Sequence, residues 1–451
     1  MLEFIKLNNS KIGIYKSLVN HKKLKRSSFH TPGHKNNADF LKNILSLDFT
    51  ELDDTDSLFE ASNSILETEK KASEIFNTKR SLISAGGCTL CIQAMLRLVS
   101  SPNAKILCSR IVHKSAINTM ALLKLEPIFL KQERYVKTGF LKPITPVAVE
   151  ECLKNCSDVN AVYVTSPDYF GVMADIKGIS EVCKKYKIPL IVDNAHGSHL
   201  KFLSEDLHPL NLGADISSDS LHKTLPVLTG GALLQINNEK YENKAKSSMA
   251  LFGSTSPSYP IMASLDLCLD WIVKNAKKEY LSLVEKISEI KNVIKDKGIL
   301  MPEGLVDPTR ISINVKSIGL SGNEVLEHLH SYLIEPELYT DDFVVFIPTP
   351  FNTDDDILRL KKALLGLKVK KSKILADDLF QEDINLKMPL NDAILKESVI
   401  VDVRKSKGFI SAKTVCQCPP GIPILVPGEV ISEYHINFLI RSGVLFVEVI
   451  K

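Results

Sequence analysis

Two short segments, Asp193-Asn194-Ala195-His196-Gly197 and Ser220-Leu221-His222-Lys223-Thr224, bring a carboxylate, imidazoles, a hydroxyl and an amine into one stretch of chain. A lysine amine condenses with an aldehyde, and a carboxylate at the end of a strand can keep a heteroaromatic nitrogen protonated. Asp193 ends the apolar run Pro189-Leu190-Ile191-Val192, which reads as a buried parallel strand. Ligands of open α/β sheets collect outside such carboxyl ends. Lys223 lies between residues 213–219 and the apolar run Gly231-Ala232-Leu233-Leu234-Gln235, on a connection between strands where reactive groups commonly stand. Singly, such an Asp is most often a cap and such a Lys a solvated charge. Together they meet two of the needs of pyridoxal 5'-phosphate, whose third is an anion cradle.

Ser84-Ala85-Gly86-Gly87-Cys88-Thr89 supplies a candidate cradle, because glycines and a hydroxyl residue lead into the helical spacing Leu90, Ala94, Leu98. An ordinary strand-to-helix turn has the same composition. His113, in Arg110-Ile111-Val112-His113-Lys114-Ser115, follows the strand-like residues 105–108 and can stack on a planar group, although capping is the commoner role. Upstream, His30-Thr31-Pro32-Gly33-His34-Lys35 gathers turn formers and basic side chains.

At these residues the chain resembles the Orn/Lys/Arg decarboxylase family of fold-type I pyridoxal phosphate enzymes. The resemblance is carried by the His30 to Lys35 segment, His113-Lys114-Ser115, Asp193-x-Ala195-His196-Gly197 and Ser220-x-His222-Lys223-Thr224-Leu225-Pro226. It continues through Thr255-Ser256-Pro257-Ser258-Tyr259, Met262-Ala263-Ser264-Leu265-Asp266, Pro419-Pro420-Gly421-Ile422-Pro423 and Pro427-Gly428-Glu429. The resemblance implies that Lys223 is the Schiff-base lysine, that Asp193 pairs with the pyridinium nitrogen and that His113 stacks on the ring. It further implies phosphate contacts from Gly87, Cys88, Thr89, Ser220 and His222, Ala195 on the opposite ring face with His196 close by, and residues 254–256, Thr255 among them, reaching a neighbouring subunit's cofactor. A homodimer or higher homo-oligomer with sites at the subunit interface is expected. The chain departs from the family pattern at Asn194, where Asp-Glu-Ala-His-Gly is usual, at Cys88, where Asn-Gly-Ser-Thr is common, and at Cys418, where an aromatic residue is common.

The elements that must position these groups alternate. Residues 161–165 and 190–192 are the clearest strands, and the helical spacers between strands predict a mainly parallel, right-handed α/β sheet. The resemblance implies that this is the large domain of the aspartate aminotransferase fold. From Tyr259 the pattern is helical, breaking near Lys297-Gly298. Residues 310–315 and 343–347 read as strands, residues 323–333 as an amphipathic helix, and Thr353-Asp354-Asp355-Asp356 as a helix start, which together predict a small α+β domain. The expected division is an arm over residues 1–29 with a basic patch at residues 22–26, a cofactor domain over 30–258, a helical connection and small domain over 259–367, and a C-terminal module over 374–451, after a lysine-rich linker.

Composition fits a large enzyme. With 451 residues and 44% hydrophobic content the chain can bury substantial cores. A net charge of +3, with dispersed basic residues, does not suggest nucleic-acid binding. The opening Met1-Leu2-Glu3-Phe4-Ile5-Lys6 lacks a sustained apolar segment and no run approaches membrane-spanning length, so a cytoplasmic location is expected. The nine cysteines, Cys88, Cys91, Cys108, Cys152, Cys156, Cys183, Cys268, Cys416 and Cys418, are scattered and odd in number, which favours reduced thiols over a metal site or disulfide framework.

Substrate contacts are the least legible part. His34 and Asp168, the latter in Pro167-Asp168-Tyr169-Phe170-Gly171, are candidates for the substrate mouth, with Glu335 as a further acid. Glu429 can either face a substrate's distal cation or serve as a carboxylate at a helix amino end after Pro427-Gly428. The resulting expectation is decarboxylation of a basic amino acid, arginine first, then lysine or ornithine. Aminotransfer or another α-carbon reaction is the alternative within the fold, and a catalytically silent, partner-binding relative is the alternative of another class.

Overall fold

A computed structural model of the chain describes residues 22–52, 55–370, 384–416 and 421–451. Most of the expected arm, the expected boundary at residue 374 and the segment Cys418-Pro419-Pro420 lie outside the described residues.

The central sheet has seven strands: β1 (Arg80–Ser84), β2 (Lys105–Ser109), β3 (Glu126–Leu130), β4 (Val159–Thr165), β5 (Leu190–Asp193), β6 (Ile216–Asp219) and β7 (Ala232–Ile236). Their order is β1-β7-β6-β5-β4-β2-β3, and only β7 runs antiparallel to its neighbours. The expected mainly parallel α/β sheet is what the chain forms. Every residue of β5, β6 and β7 is buried, as in a sheet covered on both faces.

Alternation along the strands builds two apolar layers. Ile106, Cys108, Ala161, Tyr163 and Ile191 face α2 (Gly87–Val99) and α3 (Lys114–Leu122), where Cys91, Met95 and Ile117 pack against them; α7 (Glu239–Ala250) joins the same layer, and α1 (Ser64–Phe76) precedes β1 in the chain. Leu107, Val162, Val164, Leu190 and Val192 face α4 (Pro146–Asn155) and α5 (Ile176–Tyr186) on the other side. Helix starts follow local chemistry: Thr145 Oγ1 accepts from Ala148 N at 3.2 Å, with Pro146 at the first helical position, and Asp175 accepts from Gly178 N at 2.9 Å. The order of strands reverses between β2 and β4, so a crevice opens at the carboxyl ends of the central strands.

Beyond the sheet, α8 (Tyr259–Trp271) continues through a π-helical turn, Ile272–Ala276, into α9 (Lys277–Asp296). A small antiparallel sheet follows, with β9 (Leu338–Tyr339), β10 (Phe343–Phe346) and β8 (Ile311–Asn314) in that order, flanked by α10 (Gly322–Ser331) and α11 (Asp354–Gly366). Thr353 and Asp356 form a capping box at the start of α11, where the acidic run was read as a helix start. The strand Ser27–Phe29 pairs in parallel with Ile334–Pro336, and Phe29 meets Phe346 edge-on at 6.1 Å. The C-terminal module pairs β11 (Ser398–Asp402) with β12 (Phe446–Ile450) beneath a helix, Glu433–Arg441, around Val403, Leu425, Ile431, Leu439 and Val449.

Candidate active site

Asp193 closes β5 and is buried at the crevice. Its Oδ2 accepts from Tyr163 Oη at 3.1 Å, and its Oδ1 from Ala195 N at 3.2 Å and Ser218 Oγ at 3.4 Å. Among the described residues no cation forms an ion pair with it. Burial pushes its carboxyl above the ordinary value, against the opposing influence of Lys223, the Ala195 N–H and the Tyr163 and Ser218 hydroxyls.

Lys223 stands on a single helical turn, α6 (Leu221–Thr224), one strand over. Its Nζ lies 2.9 Å from His196 Nε2, and burial draws the amine below the usual lysine value. The turn is braced from several directions. His222 N donates to Gly231 O at 3.2 Å, Gly33 N to His222 O at 2.7 Å and Tyr280 Oη to Thr224 O at 2.6 Å. Gly33 is needed there, because a Cβ on it would stand 2.6 Å from Leu225 O and 2.8 Å from Thr224 C.

A cavity of about 190 Å³ joins the expected residues: Gly87, Cys88, Thr89, His113, Asp193, Ala195, His196, Ser220, His222 and Lys223 all line it. Gly87, at φ +67°, donates to Gly230 O at 2.7 Å and begins α2, whose first N–H groups have no partner within the helix. His113 caps α3. Its Nδ1 accepts from Ser115 N at 3.2 Å and lies 2.7 Å from Ser115 Oγ, which fixes the ring. Burial, aided by Lys223, lowers His113 to about 4, and burial likewise lowers His222 to about 4, so both rings are neutral at pH 7. Gly421 abuts the His113 ring, and Ile422 enters the cavity wall, so the C-terminal module completes the site.

The remaining candidates stand elsewhere. Thr255 is exposed and does not line the cavity. His34 is buried beside the His222 turn, its Nδ1 accepting from Asn36 N at 3.0 Å. Asp168 spends Oδ1 on Phe170 N at 2.9 Å and Val172 N at 2.8 Å, and lines a separate small cavity with Gln132 and Ile144. Glu335 is paired with Arg26 and His330. Neither reading of Glu429 describes its position. It is not at a helix start, since the nearest helix begins at Glu433, and it faces Arg110 rather than the cavity, at 2.8 and 3.0 Å, while accepting from Val426 N at 3.0 Å. A carboxylate this buried requires a cation, and Arg110 supplies it.

Asn194, one of the departures from the family pattern, turns away from the cavity. It is fully buried, and its Nδ2 donates to Asp219, which also holds His208 at 2.9 Å, Ser217 at 2.6 Å and Gln235 at 3.0 Å. Cys88 and Cys91 are buried thiols, both raised by that burial, and among the described residues no group of three or more His, Cys, Asp or Glu side chains is arranged to hold a metal ion.

Several contributors were not singled out from sequence. Tyr163 is hidden within an apolar strand, and Thr165 presents a buried Oγ1 without a hydrogen-bond partner at the cavity wall. Arg310 is buried with both NH1 and NH2 3.4 Å from His196 Nδ1. A charge heading the apolar run Ile311–Asn314 was the available signal. Because a guanidinium only donates, His196 Nδ1 is the acceptor and Nε2 carries the proton facing Lys223.

The donor set suits a planar, cationic heteroaromatic aldehyde bearing an anionic group. An uncompensated carboxylate, an amine drawn below the usual lysine value by burial, a fixed imidazole face and a helix start converge, and Thr165 has hydrogen-bonding capacity to spare.

Comparison with known proteins agrees. Residues 13–301 match the Orn/Lys/Arg decarboxylase major domain, and residues 373–442 its C-terminal domain. The chain is 30% identical to arginine decarboxylase of Bacillus subtilis over 95% of its own length and 93% of that protein's. It is 24% identical to the constitutive lysine decarboxylase of Escherichia coli, over 93% and 75% of the two chains. In fold it is similar to the lysine decarboxylase of Francisella novicida, with a TM-score of 0.77 at 17% identity, covering 97% and 83% of the two chains. Among the described residues no helix is long and apolar enough to cross a membrane. By its sequence over both matched regions, the chain belongs to the Orn/Lys/Arg decarboxylase family and is a decarboxylase.

Proposed function

We propose that the protein decarboxylates a basic amino acid with pyridoxal 5'-phosphate as cofactor, arginine to agmatine first, lysine to cadaverine or ornithine to putrescine next. The observation that carries this reading is the pairing of Asp193 and Lys223 across one cavity, each shifted by burial toward its uncharged form and neither in an ion pair among the described residues. The likeness to the Bacillus subtilis arginine decarboxylase over 95% of the chain supports the choice of arginine.

When bound, the cofactor supplies an electron sink for the bond to carbon dioxide. Lys223 is the amine that attaches it, and burial favours the uncharged, nucleophilic form. Asp193 holds the ring nitrogen protonated, and a cation there would relieve the cost of its burial. His113 would cover one ring face and Ala195 the other. Gly87, Cys88, Thr89, Ser220 and His222 receive the phosphate, with neutral His222 anchored at 3.2 Å from both Ser220 Oγ and Gly231 O. His196 holds the Lys223 amine at 2.9 Å, so Lys223, His196 or His222 would be placed to return a proton to the α-carbon. Thr255, exposed here, fits a role toward a partner subunit's site in a homo-oligomer, and residues 1–29, 30–258, 259–367 and 374–451 are proposed as its working units.

Product analysis tests the reading. Purified protein with added cofactor is offered arginine, lysine and ornithine separately. One amine released with stoichiometric carbon dioxide is the expected result, agmatine foremost. Amino-group transfer without carbon dioxide would move the reading to the alternative reaction of the fold, and absence of any reaction would overturn it.

A further inference from the structure

Cys88, Cys91, Cys108, Cys183 and Cys268 are buried, as small apolar side chains are. Cys152 and Cys156 differ from them. Both are half-buried, and the two thiols are in contact: Cys152 Sγ donates to Cys156 Sγ at 3.7 Å. Neither lines the cavity that holds Lys223 and Asp193.

Helix geometry brings the pair together. Cys152 lies in α4 and Cys156 is the residue that closes it, its N–H still donating to Cys152 O at 2.8 Å. Residues four apart share one face of a helix. The helical repeat sets their Cα atoms about 6.2 Å apart, inside the span of about 4.4–6.8 Å that a disulfide bridges. Beneath, both side chains pack on the apolar layer that also takes in Val182, Tyr186 and Ile188 at the end of α5. Above, Glu151, Asn155, Ser157 and Asp158 are exposed. The two sulfurs are therefore held in place from one side and open to small reagents from the other.

The contact has a direction. Burial and the neighbouring Cys156 push the Cys152 thiol up to about 11, so Cys152 keeps its proton and points it at Cys156. A sulfur that accepts such a bond is the one whose thiolate is supported, and the thiolate is the nucleophile. We propose that Cys152 and Cys156 form a reversible dithiol modification site, with Cys156 as the attacking thiol, Cys152 as the resolving thiol and a small disulfide such as oxidised glutathione as the co-reactant. Cys156 gives up its proton and bonds to one sulfur of the small disulfide, whose S–S bond breaks to release a first thiolate. Cys152 then gives up its proton and attacks the Cys156 sulfur, and the mixed bond breaks to release the second thiolate. The protein pair loses two electrons and two protons, and the small disulfide gains both to become two thiols. The ring that closes spans only residues 152–156, so it locks the last turn of α4 and leaves the cavity as it is. This inference stands apart from the reaction proposed above.

The test is a peptide map of the full chain with added cofactor, first reduced, then freed of reductant, exposed to oxidised glutathione, alkylated and cut with trypsin. Lys154 stands between the two cysteines and Lys142 precedes Pro143, so trypsin puts the cysteines on separate peptides, residues 138–154 and 155–177. A disulfide between them keeps those peptides joined until reductant is added. The expected result is that most chains yield the joined pair. Cys152→Ser is expected to stop at the mixed disulfide, with glutathione on Cys156. Cys156→Ser is expected to take up glutathione at Cys152 at least about tenfold more slowly. Peptides that separate without reductant, or a disulfide from either cysteine to one of the buried thiols, would overturn the site. Equal uptake in the two variants would overturn the assignment of attacking and resolving thiols. The wild-type map decides the site by itself if a variant fails to fold.

Discussion

Arg110 and Glu429, separated by 319 residues in the chain, meet in a two-pronged ion pair of 2.8 and 3.0 Å at the seam between the sheet and the C-terminal module. Arg110 follows β2 and stands three residues before His113, while Glu429 follows the turn that delivers Gly421 and Ile422 to the cavity. The pair fixes the module against the part of the sheet that carries the His113 face.

Removing one member leaves a buried charge unpaired. Glu429→Gln is expected to cost about 3–5 kcal/mol in denaturant unfolding, and Arg110→Met with Glu429→Leu to recover most of that loss. KM for the basic amino acid should be unchanged in Glu429→Gln at temperatures where the variant stays folded. A selective rise in KM would restore Glu429 as a substrate contact.

Lys223→Ala should abolish the visible absorption of the protein with added cofactor and abolish turnover. Asp193→Ala should retain a coloured complex but lose turnover about a thousandfold, because the carboxylate acts on the charge of the ring rather than on attachment. Near-normal turnover in Asp193→Ala would remove the assignment of that residue.

Asp168 gives a pH-dependent stability. Burial raises its carboxyl from 3.8 to about 7, against the pull of the Val172 and Phe170 N–H groups. Between these values the unfolded chain has released the proton that the folded chain still holds, so the unfolded state binds fewer protons and stability falls as pH rises from about 4 to about 7. An amide accepts the same two N–H bonds without ionising. Asp168→Asn is therefore expected to raise Tm at pH 8 but not at pH 4, as followed by thermal unfolding, and an equal effect at both would count against the shift.

Asn194 and Asp219 form a second buried pair. Asn194→Asp would set two buried carboxylates against each other, and about 3 kcal/mol of stability should be lost. Adding Asp219→Asn exchanges acid and amide and should return most of it. Additive losses in the double variant would show that the contact between the two residues is not what matters.

Asp193, Thr89, His113 and Lys223 were legible because each stands just beyond a buried strand run, and parallel strands deliver such ends to one crevice. The alternating apolar runs fixed the layers for the same reason. Arg110 carried no comparable signal, and Arg310 only that of a charge heading an apolar run. A charged residue beside a strand looks solvated when read locally, and only the return of a distant segment decides whether it is buried and what it faces. The short-range context of Glu429, Pro427-Gly428, suits a helix start, whereas the helix begins at Glu433 and the partner Arg110 lies 319 residues away in the chain. Asn194, a departure from the family pattern, is turned by the backbone at the end of β5 toward Asp219 at the end of β6.

Gly33 lies against the carbonyl of Leu225 with no room for a side chain. The turn that bears the reactive lysine is thus wedged shut by a segment that leaves the ribosome long before it, and the strand Ser27–Phe29 that leads into that segment pairs with Ile334–Pro336, which is made later still. Contacts this distant in sequence form slowly. The turn that carries Lys223 is therefore closed only after segments nearly two hundred residues apart in the chain have met.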